Sequence, residues 1–494
     1  MTNYKKIVSF FLAVLTLTAV TSSVSCGSDT GTTSESTPTT AAATEAVTED
    51  PGPKLELPEA DYDGKTFNML IPTEYADHYA ADKETGDVVQ DAVYHRNVAV
   101  EELLNIKYNY ISAMGGWEDR ETYKGLIRNS VLAGDGAHDL VAGYQVCVLP
   151  LSLEGVFMDI HEVPGIDMEK PWWVHNLTET IGIQGKLYTI IGDASISLYS
   201  EIPVLYFNKK LLSDYNLSDP YPMVLDGTWT VDALINLVKD AYSDLNGDGK
   251  MVFGEDMFGY TAVAVAQRAF QTSTEFKVFD YTEDGLPCFV ELSERDADLY
   301  YKLIDFMTGP GVHAYGVTDH NEYVTPFLSD QVLISNGFLS HTNLLRDMKS
   351  DFGILPLPKR DEAQEDYHSQ VGTAAGMFFV PETAADITMT GYVAEAMNYY
   401  GYKEVIPAYF EIALKEKYTR DETVKTMLDI VRESAQVNFT FAFSTVFDPF
   451  TNVILPTSST EGKASNIASN FASYAKRWQK TLDNLLDAYL EAES

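Results

Sequence analysis

The chain has 494 residues, of which 73 are acidic and 34 basic, so its formal net charge is −39 at pH 7. A charge of this sign argues against nucleic-acid binding, which requires a basic face. The length allows two or three domains with large cores, and aromatic residues make up 12% of the sequence, although core packing accounts for most of them.

The first 25 residues have the pattern of a secretion signal peptide. Two lysines precede an apolar run from Ile7 to Val20, which is too short and one-sided for a membrane span. The following segment, Ser23-Val24-Ser25-Cys26, is similar to a bacterial lipoprotein cleavage site, although Ser23 replaces the usual Leu or Val. This pattern predicts lipidation of Cys26 as the first mature residue, with simple secretion as the alternative.

Residues 26–60 are rich in Ser, Thr, Ala, Glu and Pro and show no periodic apolar face. This composition predicts a disordered linker between the lipid and the folded part. Beyond it only Cys147 and Cys288 remain, both in apolar surroundings. Their settings favour two buried free thiols over one disulfide.

Strands and helices alternate in the first folded segment. Strands are predicted at residues 66–71, 106–111 and 139–142, and helices at 89–104 and 120–132. A β-α-β-α-β order predicts a parallel, doubly wound α/β lobe. Because ligands of such sheets bind beyond the carboxyl ends of the strands, the aromatic residues that follow them are candidate ligand contacts. These residues are Tyr75, Trp117 and Tyr144.

A buried strand followed by a broken loop and a helix occupies residues 202–243. The apolar run Ile202 to Phe207 predicts the strand, and Pro220 and Pro222 break the chain after it. Thr230 is an expected N-cap for a helix over 230–243. Later predicted elements are a helix at 296–308, a strand at 332–338, a return segment at 352–358, a re-entry at 371–380 with close backbone approach at Gly372, a helix at 388–400 ended by Gly401, and two final helices at 424–435 and 467–489.

Several of these segments together resemble one family. Leu205-Tyr206-Phe207-Asn208-Lys209-Lys210-Leu211 resembles the hinge strand of extracellular solute-binding proteins (family 1) of ABC importers, the class that includes maltose-binding protein, although Phe207 is an extra aromatic. Gly185-Lys186-Leu187-Tyr188, Asn336-Gly337 and the return segment 352–358 resemble three more segments of that family, in the same order.

The resemblance implies a two-lobed α/β fold of the periplasmic-binding-protein type (type II), with doubly wound sheets joined by hinge segments. It places lobe 1 at 61–203 and 359–402, and lobe 2, with the C-terminal helices, at 204–358 and 403–494. Crossings near 200–206 and 356–370 would bend on closure. It further implies a monomeric, non-enzymatic receptor at the outer face of the bacterial plasma membrane. This receptor would capture a small solute, with carbohydrate favoured, and deliver it to an ABC permease; the lipid would be its only membrane contact.

The same resemblance suggests additional ligand contacts. Sugar-binding members of the family place an acid on the hinge strand, which corresponds here to Glu201; the alternative is a solvent-facing glutamate. Asn336 and Phe338 occupy a turn that contacts ligand in the family. The adjacent Trp172 and Trp173 lie in a loop, and at least one of them is expected to line the cleft.

One loop suggests a metal site independently of the family. Residues 244–255 fit the twelve-residue calcium pattern at every fixed position. Oxygens of five residues would hold a structural Ca²⁺: side chains of Asp244, Asn246, Asp248 and Glu255, and the carbonyl of Lys250. The alternative is an acidic turn without metal.

Two other functions are compatible with the composition. Many carboxylates could supply a catalytic pair, so a secreted glycoside hydrolase is one alternative, and a cell-surface glycan-binding adhesion protein is another. The sequence contains no His-Glu-x-x-His, Gly-x-Ser-x-Gly or phosphate-binding Gly-Lys-Ser/Thr motif. The receptor interpretation is therefore favoured over both alternatives, of which the glycoside hydrolase is the first.

Overall fold

The computed structural model describes residues 52–263, 265–314, 320–410, 422–447 and 467–492. The predicted signal peptide, Cys26 and the linker up to residue 51 lie outside the described residues. Leu55–Ser494 form one unit by their internal contacts. Among the described residues, no helix is long and apolar enough to traverse a bilayer.

The strands are numbered in chain order. They are β1 Lys65–Pro72, β2 Ile106–Ala113, β3 Leu140–Tyr144, β4 Pro203–Asn208, β5 Phe258–Ala262, β6 Phe279–Tyr281, β7 Pro287–Phe289, β8 Val312–His313, β9 Val332–Phe338, β10 Phe352–Leu355, β11 Ser369–Gln370, β12 Gly376–Phe379 and β13 Ala435–Gln436. The longer helices are Val88–Leu104, Arg120–Ala133, Val231–Val238, Glu294–Met307, His320–Leu328, Ile387–Tyr400, Glu422–Glu433 and Ile467–Ala492.

Shorter helical turns connect these elements. The α-helical ones are Ala76–Tyr79, Gln145–Val148, Leu177–Ile181, Ser197–Ser200, Lys209–Asp214, Tyr221–Leu225, Phe270–Ser273 and Phe439–Ala442. The 3-10 turns are Thr73–Tyr75, Leu149–Glu154, Ile160–Glu162, Ala266–Ala269 and Leu339–Thr342, and Gly401–Val405 is a π-helical turn.

The first lobe is built on a four-stranded sheet in the order β12-β3-β1-β2. β1 is parallel to both β2 and β3, whereas β12 is antiparallel to β3. The connections of β1, β2 and β3 run through the helices Val88–Leu104 and Arg120–Ala133, as the β-α-β-α-β prediction required. The carboxyl ends of β1 and β3 therefore meet at one edge of this sheet.

The second lobe is built on a five-stranded sheet in the order β10-β4-β9-β5-β8. β5 is parallel to β8 and β9, and β4 is antiparallel to β9 and β10. Every residue of β4 is buried, which agrees with its uninterrupted apolar sequence. The chain enters this sheet at Pro203 and returns to the first sheet between β10 and β12, so the predicted two-lobed arrangement is confirmed.

Helix boundaries follow the predicted caps with two exceptions. Thr230 accepts a hydrogen bond from the amide of Ala233 at 3.2 Å, as an N-cap should, but the helix it begins ends at Val238 rather than at 243. Gly401 does not end its helix, because its backbone stays right-handed and the helical path continues. A Cβ there would lie 2.3 Å from the carbonyl oxygen of Asp193, so a close approach between segments requires this glycine.

The ends of the unit also differ from the predicted boundaries. Leu55 and Leu57, inside the predicted linker, pack on the core, and Glu56 pairs with Lys170 at 2.6 Å. The helix Ile467–Ala492, assigned to lobe 2, also contacts lobe 1. There the hydroxyl of Tyr188 donates to that of Tyr489 at 3.0 Å. The folded part thus begins earlier than its composition indicated, and its last described helix contacts both lobes.

Candidate ligand site between the lobes

Three of the predicted ligand contacts come together where the chain crosses between the sheets. Tyr75 follows β1, Tyr144 ends β3, and their ring centroids are 5.0 Å apart. Glu201 lies just before β4, and its carboxylate interacts with the hydroxyl of Tyr75. Two aromatic strand ends of the first lobe and one acid of the hinge therefore form a single cluster.

Glu201 is a strongly desolvated carboxylate. Burial raises its pKa above the usual value of 4.5, and the hydrogen bond from Tyr75 opposes that rise. A Cβ at Gly372 would lie 2.7 Å from the Cβ of Glu201 and 2.2 Å from its carbonyl oxygen. The return segment consequently packs on Glu201 so closely that only glycine fits, as predicted for Gly372. Glu201 is half-buried, and its contact with a ligand stays a prediction.

Tyr409 is an additional member of this cluster that the sequence analysis missed. Burial raises the pKa of its hydroxyl, and the nearby charge of Glu201 raises it further. This hydroxyl is buried and has no hydrogen-bond partner among the described residues. Tyr409 follows the π-helical turn Gly401–Val405, far along the chain from the strand ends, and no local sequence pattern marks it.

Trp117 lies at the same edge of the first sheet but is exposed. Its side chain is 52% accessible, and the guanidinium of Arg120 lies 4.1 Å from its ring centroid. The loop that carries it is anchored beside β1, because the amides of Gly115 and Gly116 donate to the Glu74 carboxylate at 3.0 and 2.8 Å. Trp117 is therefore an exposed ring partly covered by Arg120, rather than a member of the buried cluster.

Trp172 and Trp173 are placed differently from the prediction. Both are buried, at 0% and 3% exposure, and both indole N–H groups donate to Glu395, at 3.1 and 2.8 Å. Adjacent tryptophans in a loop rarely both face the core, which is why one of them was expected in the cleft. A carboxylate on the helix Ile387–Tyr400 provides both acceptors, which allows both rings to be buried.

Asn336 and Phe338 belong to the buried strand β9. The amide of Asn336 donates to the carbonyl of Val204 at 3.1 Å, while its Oδ1 is buried without a partner among the described residues. Phe338 is 8% exposed, and its carbonyl accepts from Tyr206 at 2.8 Å. Asn336 thus ties the hinge strand to β9 and retains one free acceptor, whereas Phe338 packs beside the hinge.

An ionic network supports the crossing from behind. Asp193 is buried and accepts from the Tyr199 hydroxyl at 2.5 Å and from Arg432 at 2.9 Å. Burial raises the pKa of Asp193 to about 6, although Arg432 and Tyr199 oppose the rise. Arg432 belongs to the helix Glu422–Glu433, which packs on β10 of the second sheet. This network therefore joins both lobes close to the hinge, and its member Tyr199 lies two residues before Glu201.

No protein-family model matches the chain, and no curated protein matches it. Solved structures do match it. A galacto-N-biose/lacto-N-biose I-binding protein of an ABC transporter from Bifidobacterium longum, in complex with lacto-N-biose, has a TM-score of 0.53 and 13% identity, and the match covers 86% of this chain and 98% of that one.

Two other structures agree with this match. An ABC transporter solute-binding protein from Thermotoga lettingae, bound with α-D-tagatose, has a TM-score of 0.52 and 13% identity over 85% of this chain and 100% of that one. UgpB from Mycobacterium tuberculosis, in complex with glycerophosphocholine, has the same TM-score and identity over 86% of this chain and 99% of that one. The fold is that of ABC-transporter solute-binding proteins. At this identity the likeness establishes the fold alone.

In the predicted calcium loop, residues 244–255, backbone N–H groups of the loop donate hydrogen bonds to its own side chains. The Asp244 carboxylate accepts from the amides of Gly247 and Gly249 at 2.6 and 2.7 Å. These bonds lower the pKa of Asp244 below its usual value. The side chain of Asn246 accepts from the amide of Asp248 at 2.9 Å, and Asp248 accepts in turn from Lys250 at 2.8 Å.

Hydrogen bonds of Glu255 and of Asp256, the residue directly after the pattern, join the two ends of this loop. Asn246 donates to Glu255 at 3.4 Å, and the buried Asp256, which the pattern does not include, accepts from Leu245 and Val252 at 2.9 and 2.7 Å. Across the described ranges, no three His, Cys, Asp or Glu side chains converge on a metal position. The loop holds suitable oxygens on adjacent turns, and calcium binding stays a prediction.

The two cysteines of the folded part are free thiols, as predicted. Cys147 is buried, and burial raises the pKa of its thiol to about 11. Cys288 is half-buried rather than fully buried. It lies on the hairpin strand β7, whose neighbouring residues leave one side of the strand partly accessible.

Proposed function

We propose that this protein is the extracellular receptor of a bacterial ABC importer and that it captures a carbohydrate between its two lobes. One observation carries the proposal: Tyr75, Tyr144 and Glu201 converge at the hinge of a fold that other proteins use to bind solutes. The proteins with this fold include binders of lacto-N-biose and tagatose. The receptor would act without chemical turnover.

The cluster suits the surface chemistry of a sugar. A carboxylate can accept hydrogen bonds from two adjacent hydroxyl groups, and such charge-assisted bonds are stronger than neutral ones. Aromatic rings such as those of Tyr75 and Tyr144 can cover the apolar C–H face of a pyranose. Because Glu201 precedes the crossing strand directly, a ligand bound to it would bias the two lobes towards closure.

A ligand panel tests the proposal. Purified protein without residues 1–25 is titrated with maltose, maltotetraose, lacto-N-biose, tagatose and glycerophosphocholine, and melting temperature, heat of binding and radius of gyration are measured. A ligand at a hundred times its Kd should add about 2.7 kcal/mol to the free energy of unfolding. We expect binding with a smaller radius of gyration. Hydrolysed product would indicate a glycosidase, and binding without compaction would indicate an adhesion protein.

We also propose that Cys26 carries a lipid that tethers the receptor to the outer face of the membrane. The apolar segment before it and the cleavage-site pattern support this. Cys26→Ala should move the protein from the membrane fraction to the medium, whereas the matched control Cys147→Ala should not. Retention of Cys26→Ala in membranes of a strain without ABC permeases would contradict lipid anchoring.

A structural calcium ion in the loop 244–255 is the third part of the proposal. The support is the sequence pattern together with side-chain oxygens of Asp244, Asn246 and Asp248 on successive turns of one exposed loop. The ion would supply positive charge that relieves repulsion among Asp244, Asp248 and Glu255, and it would fix the end of the helix Val231–Val238.

A further inference from the structure

Gln145 and Gln267, near the segments that connect the two lobes, are buried without side-chain hydrogen bonds in the described chain. Gln145 and Gln267 are each 0% exposed, and neither the amide nitrogen nor the carbonyl oxygen of either has a hydrogen-bond partner within the described part of the chain. An unpartnered buried polar atom destabilises a protein, and native structures contain few of them. Four such atoms on two side chains therefore require a reason other than stability.

Each glutamine follows the carboxyl end of a parallel strand. Gln145 comes directly after β3 and next to Tyr144, in the first lobe. Gln267 lies in the 3-10 turn Ala266–Ala269 after β5, in the second lobe, and this turn packs on β9 and on the hinge strand β4. The carboxyl ends of the strands are where open α/β sheets bind ligands. The two lobes thus place the same functional group at equivalent positions.

The returning segment of the chain contacts Gln145 directly and contacts the short helix that follows Gln267. The backbone N–H of Gln145 donates to the backbone carbonyl of Ala375 at 2.9 Å. Ala375 comes three residues after Gly372, the glycine that packs on Glu201. On the other side, Thr272, five residues after Gln267, donates to the side chain of Gln370. Gln271, one helical turn after Gln267, has a third buried unpartnered amide nitrogen. The return segment 370–375, which packs on Glu201, is therefore hydrogen-bonded to Gln145 and to the helix Phe270–Ser273.

Two other glutamines in this region, Gln364 and Gln370, have protein partners for both ends of their side chains. The carbonyl oxygen of Gln364 accepts from Arg360 at 2.9 Å, and its amide donates to the carbonyls of Ser273 and Asp366, both at 2.8 Å. Gln370 accepts from Thr272 and donates to Val371. The chain is therefore able to satisfy buried carboxamides here, and Gln145 and Gln267 differ from their neighbours.

We infer that Gln145 and Gln267 are ligand-binding residues that contact the solute from opposite lobes, and that the solute is an uncharged compound rich in hydroxyl groups. Each carboxamide offers one acceptor and two donors, so both of its ends are satisfied only by groups that also donate and accept. Hydroxyl groups do both. A phosphate or carboxylate only accepts, and an ammonium group only donates, so either would leave half of each carboxamide without a partner.

This inference rests on the proposed receptor function and deepens it. It predicts opposite effects on stability and on affinity, because the groups that bind the solute are unpaired without it. Methionine has nearly the length of glutamine and needs no hydrogen bond. Gln145→Met and Gln267→Met should keep or raise the melting temperature of the free protein and weaken binding of lacto-N-biose or maltotetraose at least tenfold.

The control variant is Gln364→Met, which removes a carboxamide with protein partners at both ends. It should lower the melting temperature of the free protein, in contrast to the two test variants. If Gln145→Met or Gln267→Met does not fold, the same measurements are made on Gln145→Leu and Gln267→Leu. The wild type should bind the neutral sugars and not glycerophosphocholine.

The outcomes separate this inference from the receptor function. A wild type that binds a sugar and closes, with unchanged affinity in both methionine variants, would overturn the glutamine contacts and leave the receptor standing; buried water would then be their partner. Preference of the wild type for glycerophosphocholine would overturn the uncharged, hydroxyl-rich class. A wild type that binds no member of the panel would overturn the carbohydrate receptor itself.

Discussion

Two buried polar regions of this molecule differ in whether their hydrogen-bonding groups have partners within the described chain. In the first lobe, Trp172 and Trp173 donate to Glu395, which also accepts from the amide of Asp167 at 3.2 Å. Between the lobes, Gln145 and Gln267 are equally buried but unpartnered within the described chain. Burial alone therefore does not distinguish structural from ligand-binding polar residues here, whereas partnering does.

The contrast has a physical basis. A buried donor with an acceptor contributes a modest net stabilisation, whereas one without an acceptor keeps its full desolvation cost. In the tryptophan cluster, Glu395 accepts from both indole N–H groups, so their desolvation is compensated within one lobe. The side chains of Gln145 and Gln267 are desolvated without a partner in the described chain, and hydrogen bonds from a ligand could compensate them. Such residual costs are characteristic of binding sites rather than cores.

The largest effect is expected from a substitution that breaks the hydrogen-bonded cluster of Trp172, Trp173 and Glu395. Glu395→Leu leaves two buried indole N–H groups without an acceptor, and each costs about 1–3 kcal/mol, so the free energy of unfolding should fall by about 2–6 kcal/mol in urea melts. The measurement is made at about pH 5.5, because Glu395 is then mostly neutral and no charge penalty is removed with it. Gln145→Met is the matched change in the other region, and an equal loss there would contradict the comparison.

The pH dependence of stability should show the next largest effect. Burial raises the pKa of Glu395 to about 7, from 4.5, although the indole N–H groups oppose the rise. Between these values the folded state holds a proton that the unfolded state has released. The free energy of unfolding should therefore fall as pH rises from 4.5 to 7, by about 3 kcal/mol from this group.

Glu395→Gln identifies the source of this pH dependence. The variant cannot titrate, so its stability should lose that part of the slope between pH 4.5 and 7. A smaller slope should remain, because burial also raises the pKa of Asp193, from 3.8 to about 6. An unchanged slope in Glu395→Gln would show that Glu395 is ionised throughout, contrary to the effect of its burial.

Glu201→Gln sharpens the comparison from the side of the ligand site. The substitution keeps the shape and removes charge-assisted hydrogen bonds, so affinity for a cognate sugar should fall by about 1.5–3 kcal/mol in titration calorimetry while the fold persists. Because burial raises the pKa of Glu201, wild-type binding should also weaken as pH falls, starting above 4.5. Equal affinity in both proteins would remove Glu201 from the site.

The smallest expected effect concerns the calcium loop, whose oxygens are satisfied by its own backbone rather than by a partner or a ligand. Calcium at ten times its Kd should add about 1.4 kcal/mol to the free energy of unfolding, and sites of this kind respond at about 10⁻⁴ to 10⁻³ M. Magnesium should act more weakly, and Glu255→Gln should reduce the response. Identical melting curves in calcium and in chelator would mean an acidic turn without metal.

Local sequence determined most of the secondary structure. Strands β1 to β4 and β9 lie within two residues of their predicted positions, and Thr230 caps its helix, because apolar periodicity and capping act over a few neighbouring residues. The position of Tyr75 and Tyr144 at a shared sheet edge also followed from strand order. The hinge and Glu201, by contrast, came from resemblance to a family rather than from any local rule.

Tertiary structure decided what each polar group and each tight contact does. Trp172 is buried because Glu395, 223 positions later, accepts its N–H group, and Gly401 serves a close approach to Asp193 rather than a helix end. Tyr409 lies near Glu201 and the turn of Gln267 packs on the hinge strand, although neither segment has a distinguishing sequence pattern. Such pairings depend on which surfaces the fold brings together, and the energy of a buried polar group depends on a partner that sequence neighbours do not reveal.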